Sequence, residues 1–103
     1  MYKLNYYVPL DAKEKTKQAL FDIGVGKFDN YENCSFETLG QGQFKPVANA
    51  NPAIGKLDTL EVLQEYKVEL ICGDALIKEA VKILKKVHPY EVVAYEVFQI
   101  ENF

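Results

Sequence analysis

Two stretches of the chain alternate apolar and polar residues, the pattern of a strand with one buried face. In the first, Leu4, Tyr6 and Val8 alternate with polar neighbours. The second, residues 59–72, is longer, and its apolar residues again share one side: Tyr66, Val68, Leu70 and Cys72. Both stretches are therefore predicted to be strands that contribute one face to a core.

Two other segments have the spacing of amphipathic helices. The first follows Asp11, an expected N-cap with Glu14 in capping-box position, and should end at Gly24 and Gly26. The second, residues 75–87, follows Asp74, which is also an expected N-cap. Its apolar residues fall on one helical face: Leu76, Ile77, Ala80, Val81, Leu84 and Val87.

The region between the first helix and the long strand is predicted to be an extra β-hairpin followed by a long loop. Residues 33–38 and 43–47 have strand character, and Gly40 and Gly42 lie between them in a segment typical of a turn. Residues 45–58 contain two prolines and show no periodicity. Loops of this length in compact domains often bind ligands or contact a neighbouring subunit.

The resulting element order, β-α-β-β-α-β, predicts an α+β ferredoxin-like plait in which two helices cover one face of an antiparallel sheet. A length of 103 residues fits a single domain, residues 1–103. The last predicted strand, residues 91–100, is apolar on both faces. Because an uncovered apolar sheet face usually contacts a partner, we expect a homo-oligomer.

Composition narrows the choice of other partners. The formal net charge is -3, and all 12 basic residues are lysines, so the positive field and the bidentate arginine contacts of a nucleic-acid-binding protein are missing. No apolar run is long enough to span a membrane, and the first residues lead into a strand pattern instead of a signal peptide. We therefore expect no nucleic acid, no membrane and a cytoplasmic location.

A rigid corner joins the second helix to the last strand. Pro89 lacks an amide hydrogen and disfavours helical backbone at His88, the only histidine in the chain. Imidazole and thiolate suit copper or zinc, so His88, Cys34 and Glu91 are the candidate metal ligands, and a divalent metal ion is the one cofactor suggested. In the alternative, His88 bonds a carboxylate or a backbone carbonyl and fixes the corner, while Cys34 lies in the core.

Several motifs resemble the inserted domain of YqfO-type (Nif-three-like) proteins. They are the glycine-rich residues 24–36, residues 40–46, residues 51–55 and the His-Pro-Tyr-Glu sequence at 88–91, which is also similar to a corner motif of CutA proteins. The resemblance covers essentially the whole chain. It implies a PII/CutA-like domain in a superfamily whose members are commonly trimers, without the metal-binding domains that flank this insert in long family members.

The resemblance also implies sites and functions. PII proteins bind ligands in clefts between subunits near a long loop, which makes Tyr31, Lys45, Asn51 and Tyr90 candidates for a ligand or interface cleft. The implied function is a non-enzymatic regulatory or ligand-binding module whose ligand is unknown. A divalent-cation-binding protein is the alternative. A small hydrolase is a third reading, but no Ser-His-Asp or Cys-His motif supports it.

Overall fold

Four strands and two helices follow one another in the predicted order. The computed structural model describes residues 1–103. Its elements are β1 (Tyr2–Pro9), α1 (Lys13–Asp22), β2 (Phe36–Phe44), β3 (Glu61–Cys72), α2 (Ile77–Val87) and β4 (Tyr95–Gln99). The strands form one antiparallel sheet in the order β2-β3-β1-β4, which is the order of the ferredoxin-like plait. The predicted α+β fold is confirmed.

The helices pack on one side of the sheet, here called the covered face, and the alternation in β1 and β3 supplies its core. The fully buried residues include Leu4, Tyr6, Val8, Leu20, Val68, Leu70, Cys72, Ala80 and Leu84. The Tyr6 hydroxyl lies 2.8 Å from Thr16 Oγ1, and the Thr16 hydroxyl donates to the Lys13 carbonyl. Tyr6 therefore donates to Thr16, and burial raises the pKa of Tyr6 to about 12.

Both predicted aspartate caps are wrong. A single 3-10 turn, Leu10–Ala12, contains Asp11 and delays the start of α1, whose N-cap is Ala12 with no side-chain cap bond. Leu76 is the N-cap of α2, and Asp74 instead pairs with the amino group of Met1. In both places the helix begins one or more residues beyond the aspartate, so its carboxylate is not positioned to cap the first amides.

The predicted extra hairpin is also wrong. β2 runs without a break from Phe36 to Phe44, with Gly40 opposite Glu65 and Gly42 opposite Leu63 on β3. A Cβ added at Gly42 would lie 2.7 Å from Glu65 Cδ, because the Glu65 side chain crosses β2 at that point. Gly42 therefore makes room for a crossing side chain, and both glycines lie inside a strand instead of forming a turn.

The side of the sheet away from the helices, here called the open face, carries Lys3, Asn5 and Tyr7 of β1. Asn5 is only 6% exposed, yet its Oδ1 has no hydrogen-bond partner. Phe98 of β4 lies opposite Lys3 on this face and is 53% exposed. The open face thus combines exposed apolar surface with a buried polar atom that the chain itself does not satisfy.

The first and last strands also bring the two chain ends together. β1 and β4 are neighbours, and the Ile100 amide donates to the Met1 carbonyl at 3.0 Å. No helix of the chain combines the length and the apolar content that crossing a bilayer requires.

Candidate functional site

His88 fixes the corner through backbone atoms. Its own backbone is extended and ends α2, and its ring Nδ1 accepts a hydrogen bond from the Tyr90 amide at 3.1 Å. The ring proton therefore resides on Nε2, which donates to the Tyr7 carbonyl at 2.7 Å. The alternative in which His88 bonds a backbone carbonyl is the arrangement that the structure has.

Burial determines the charge of this histidine. The side chain is 6% exposed, and desolvation lowers its pKa, although the bond to the Tyr7 carbonyl and the charge of Glu65 oppose that effect. The ring is therefore neutral at pH 7, and both of its nitrogens are engaged with the chain. In this state His88 ties β1 to the residues that follow α2.

A cavity of about 500 Å³ opens on the open face next to this corner. It lies between the end of β2, the loop that connects β2 to β3, and residues 90–94. We call it the corner cavity, and its lining includes Tyr7, Phe44, Lys45, Glu65, Tyr90 and Glu91. Sites for small molecules in proteins have volumes of this order, about 300–1,000 Å³.

Glu65 and Tyr90 form the floor of the corner cavity. The Tyr90 hydroxyl donates to Glu65 Oε2 at 3.0 Å, and burial together with this bond raises the pKa of Tyr90. The Tyr90 ring packs against His88, with 4.9 Å between centroids, and against Phe44, with 6.1 Å. Gly42 leaves the space that the Glu65 side chain needs. One glycine in β2 thereby permits the contact that joins β3 to the histidine corner.

The loop after β2 is held to the opposite rim. Its base is closed by the Asp58 amide, which donates to the Pro46 carbonyl at 2.6 Å. Further along, the Asn51 amide donates to Glu91 Oε2 at 3.1 Å. This long loop is therefore an ordered wall of the corner cavity.

The four residues predicted for a cleft have different positions. Lys45 and Tyr90 line the corner cavity, and Asn51 holds Glu91 at its rim. Tyr31 lies in a tight turn closed by two hydrogen bonds with Phe28, is 71% exposed and does not line the cavity.

Of the six lining residues named above, three were not predicted as site residues from the sequence: Tyr7, Phe44 and Glu65. The available signal concerned Glu65 alone, since a glycine inside a strand, here Gly42, is compatible with the close approach of another group.

The predicted metal ligands are not gathered into a cluster. No group of three His, Cys, Asp or Glu side chains in the chain lies close enough together to hold a metal ion. The Cys34 amide bonds the Gly26 carbonyl at 2.8 Å, whereas Glu91 bonds Asn51. Cys34 is half-buried, so its expected place in the core is wrong; Cys72 is the core cysteine, and burial raises its pKa.

Comparison with known proteins finds relatives among NIF3-related proteins. No family model matches the chain. A Staphylococcus aureus protein named GTP cyclohydrolase 1 type 2 homolog is 38% identical over 101 residues, which cover 98% of this chain and 28% of that protein. A Bacillus cereus protein related to NIF3 superposes with a TM-score of 0.82 and 33% identity, over 98% of this chain and 26% of the other. The chain thus resembles one segment of NIF3-related proteins.

A second structural likeness shows the fold alone. CutA1 from Pyrococcus horikoshii superposes with a TM-score of 0.73 over 100% of this chain and 86% of its own, at 16% identity. The chain thus matches nearly all of a CutA protein but spans only about a quarter of the NIF3-related relatives. The expected resemblance to both groups is confirmed.

Proposed function

We propose that this chain is a non-enzymatic PII/CutA-like module that binds a small ligand in the corner cavity and acts as a small homo-oligomer, with a trimer favoured. The shared fold and the NIF3-related relatives support a small regulatory or ligand-binding module. The observation that carries the proposal is the corner cavity, with its ordered loop wall and the partly buried hydrogen bond from Tyr90 to Glu65.

The chemistry of the site supports binding over catalysis. His88 is neutral, and its two nitrogens hold the Tyr7 carbonyl and the Tyr90 amide. An acid-base pair with Glu91 would need one of those nitrogens to be free for a substrate proton. Glu91 itself is engaged by the Asn51 amide.

Self-association is supported by the open face. Exposed Phe98 and the unbonded Oδ1 of buried Asn5 lie on the side that no helix covers. A second copy that packs there would bury the exposed aromatic ring of Phe98. The proposal includes the cytoplasmic location and the absence of nucleic-acid and membrane partners expected from the sequence.

Light scattering on the purified 103-residue chain tests the assembly. We expect a closed oligomer for the native chain and a monomer for Phe98→Glu, with unchanged far-UV circular dichroism in both. Lys82→Glu, which alters the charge of the exposed side of α2, is the control and should keep the oligomer. A native chain that stays monomeric at high concentration would remove this part of the proposal.

Amide chemical shifts test ligand binding. The isotope-labelled chain is screened against a small-molecule library that contains neutral, cationic and anionic compounds. We expect saturable shifts at amides of Gly42, Phe44 and Tyr90 with at least one compound. A library without any such compound would contradict the assignment of the corner cavity as a ligand site.

The divalent-cation alternative stays a prediction. Its ligands would be His88, Cys34 and Glu91, and His88 would have to give up a backbone bond to coordinate a metal. Calorimetric titration of copper and zinc into the native chain and into His88→Ala tests it. Equal binding by both proteins would exclude the histidine as a ligand.

A further inference from the structure

The corner cavity is walled by aromatic rings on one face of the sheet. Tyr7, Phe44 and Tyr90 all line it, and the rings of Phe44 and Tyr90 are tilted by 55° with 6.1 Å between centroids. The faces of aromatic rings carry negative partial charge, and they attract ammonium groups that come within about 6 Å of the ring centre. The rings therefore provide an apolar wall that also favours positive charge.

The ionised groups of the corner cavity have the same preference. Glu65 and Glu91 contribute two carboxylates, against the single ammonium of exposed Lys45. Asp11 and Glu61 lie close enough for their charges to raise the pKa of Tyr90 further. No arginine exists in the chain. An anionic ligand would meet several carboxylates and one exposed lysine, whereas a cation meets complementary charge.

Hydrogen-bonding capacity remains on both carboxylates. Glu65 accepts the Tyr90 hydroxyl through Oε2, and Glu91 accepts the Asn51 amide through Oε2. An ionised carboxylate has about four acceptor positions, so each group can still accept a bond from a ligand. The Tyr7 hydroxyl is already committed, since it donates to Glu96 at 2.9 Å. The available polar atoms are thus predominantly acceptors, which match a donor such as an ammonium group.

From these observations we propose that the corner cavity recognises a small organic cation, an amine or quaternary ammonium compound. Its positive group would lie against the rings of Phe44 and Tyr90, with Glu65 and Glu91 as counter-charges. This inference rests on the proposed function, because it names the chemical class of the ligand. The cavity volume of about 500 Å³ has room for such a molecule, and the chain's own loop and corner form its walls.

Three compounds of nearly equal shape separate charge from size. Choline carries a trimethylammonium group, 3,3-dimethyl-1-butanol is its neutral carbon analogue, and 3,3-dimethylbutanoate is an anion with the same branched head. Each is titrated into the full labelled chain while the amides of Gly42, Phe44 and Tyr90 are followed. We expect choline to bind at least about tenfold more tightly than the neutral analogue, and the anion to bind most weakly.

Two substitutions examine the source of this preference. Glu65→Gln removes the charge but keeps an oxygen that can accept a hydrogen bond from the Tyr90 hydroxyl. It should therefore lower the affinity for choline several-fold and leave the affinity for the neutral analogue unchanged. Phe44→Leu removes a ring while keeping an apolar side chain. It should also lower the affinity for choline more than the affinity for 3,3-dimethyl-1-butanol. Glu79→Gln removes an exposed carboxylate from α2, and as the control it should change neither affinity.

Each outcome separates the ligand class from the proposed function. If the alcohol or the anion binds at the same amides as tightly as choline, the cation inference is overturned, while the binding module stands. If none of the three compounds shifts these amides but a library compound of another charge does, the result is the same. If no compound of any class binds there, both the inference and the ligand site are overturned.

Discussion

The two faces of the single sheet obey different rules. On the covered face, alternate residues of β1 and β3 are fully buried, and the buried Tyr6 hydroxyl has a partner in Thr16. On the open face, Asn5 is buried with an unbonded Oδ1, and Gly42 gives up a side chain so that Glu65 can cross its strand. The same strands therefore build a satisfied core on one side and an unsatisfied, partly hollow surface on the other.

This difference separates stability from binding. A face whose polar atoms all have hydrogen-bond partners and whose apolar groups are already buried has no group left to contact a ligand or a partner. The open face keeps free acceptors on Glu65 and Glu91 and leaves exposed ring area at Phe98. Changes on the covered face should thus affect folding, whereas changes on the open face should affect recognition.

The largest expected effect is on the covered face. Leu70→Ala removes a fully buried side chain and should lower the free energy of unfolding by about 2–5 kcal/mol. Phe98→Ala on the open face should cost less than about 1 kcal/mol, because more than half of that ring is already exposed in the single chain. Urea unfolding at a protein concentration where light scattering reports monomers measures both. Equal losses would erase the distinction between the faces.

The His88 corner links the two faces and should show an intermediate effect. His88→Gln should lower the free energy of unfolding by about 1–3 kcal/mol, since the Tyr7 carbonyl and the Tyr90 amide lose well-placed partners. Burial lowers the pKa of His88 from its ordinary 6.5, so the unfolded chain takes up a proton first as the pH falls. The contribution of this histidine to native stability is therefore full above pH 6.5 and declines below it, through the folded-state pKa.

Urea unfolding at about pH 7.5 and about pH 5.5 checks this dependence, since the ordinary histidine pKa of about 6.5 lies between them. The native chain should lose more stability than His88→Gln between the two conditions. An identical loss in both proteins would assign the acid sensitivity to carboxylates and not to the corner.

The smallest expected effect distinguishes two glycines of one strand. Gly42→Ala places a Cβ against the Glu65 carboxylate, so that side chain must move and its bond with Tyr90 is lost, at a cost of about 1 kcal/mol. Gly40→Ala is the matched control, since its added Cβ meets no atom closer than 4.0 Å.

A double-substitution experiment identifies the mechanism. Because Tyr90→Phe already removes the bond to Glu65, adding Gly42→Ala to it should cost less than Gly42→Ala costs in the native chain. Full additivity in thermal or urea unfolding would show that the glycine acts through something other than this contact.

The sequence predicted the covered face well because that face depends on local periodicity. The alternation of Leu4, Tyr6 and Val8 indicates which side of the strand is buried, whatever position the strand has in the sheet. Helix starts were less accurate, since Asp11 is a residue type that often caps helices, but here it lies in the 3-10 turn that precedes α1.

The open face was predicted in part. The corner at His88 was accessible because Pro89 imposes it locally, whereas the role of Gly42 depends on Glu65 of another strand. Glycine favours a turn and also permits a close crossing, so composition alone does not distinguish the two. Tyr7 and Phe44 were missed because they lie far apart along the chain, on β1 and β2, and only the folded cavity has both residues in its lining. Tyr31 belongs to one of the motifs that carry the family resemblance, but it lies away from the corner cavity.

The bond between the Ile100 amide and the Met1 carbonyl has a consequence for the architecture of larger proteins. A unit whose two ends lie next to each other can be inserted into a loop of another domain without separating the two ends of that loop. The domain that receives the insertion keeps its own hydrophobic core, and the inserted unit keeps its sheet. In its relatives, the matching segment makes up about a quarter of the polypeptide. Adjacent ends would allow such a segment to be connected to the rest of the protein through a single loop.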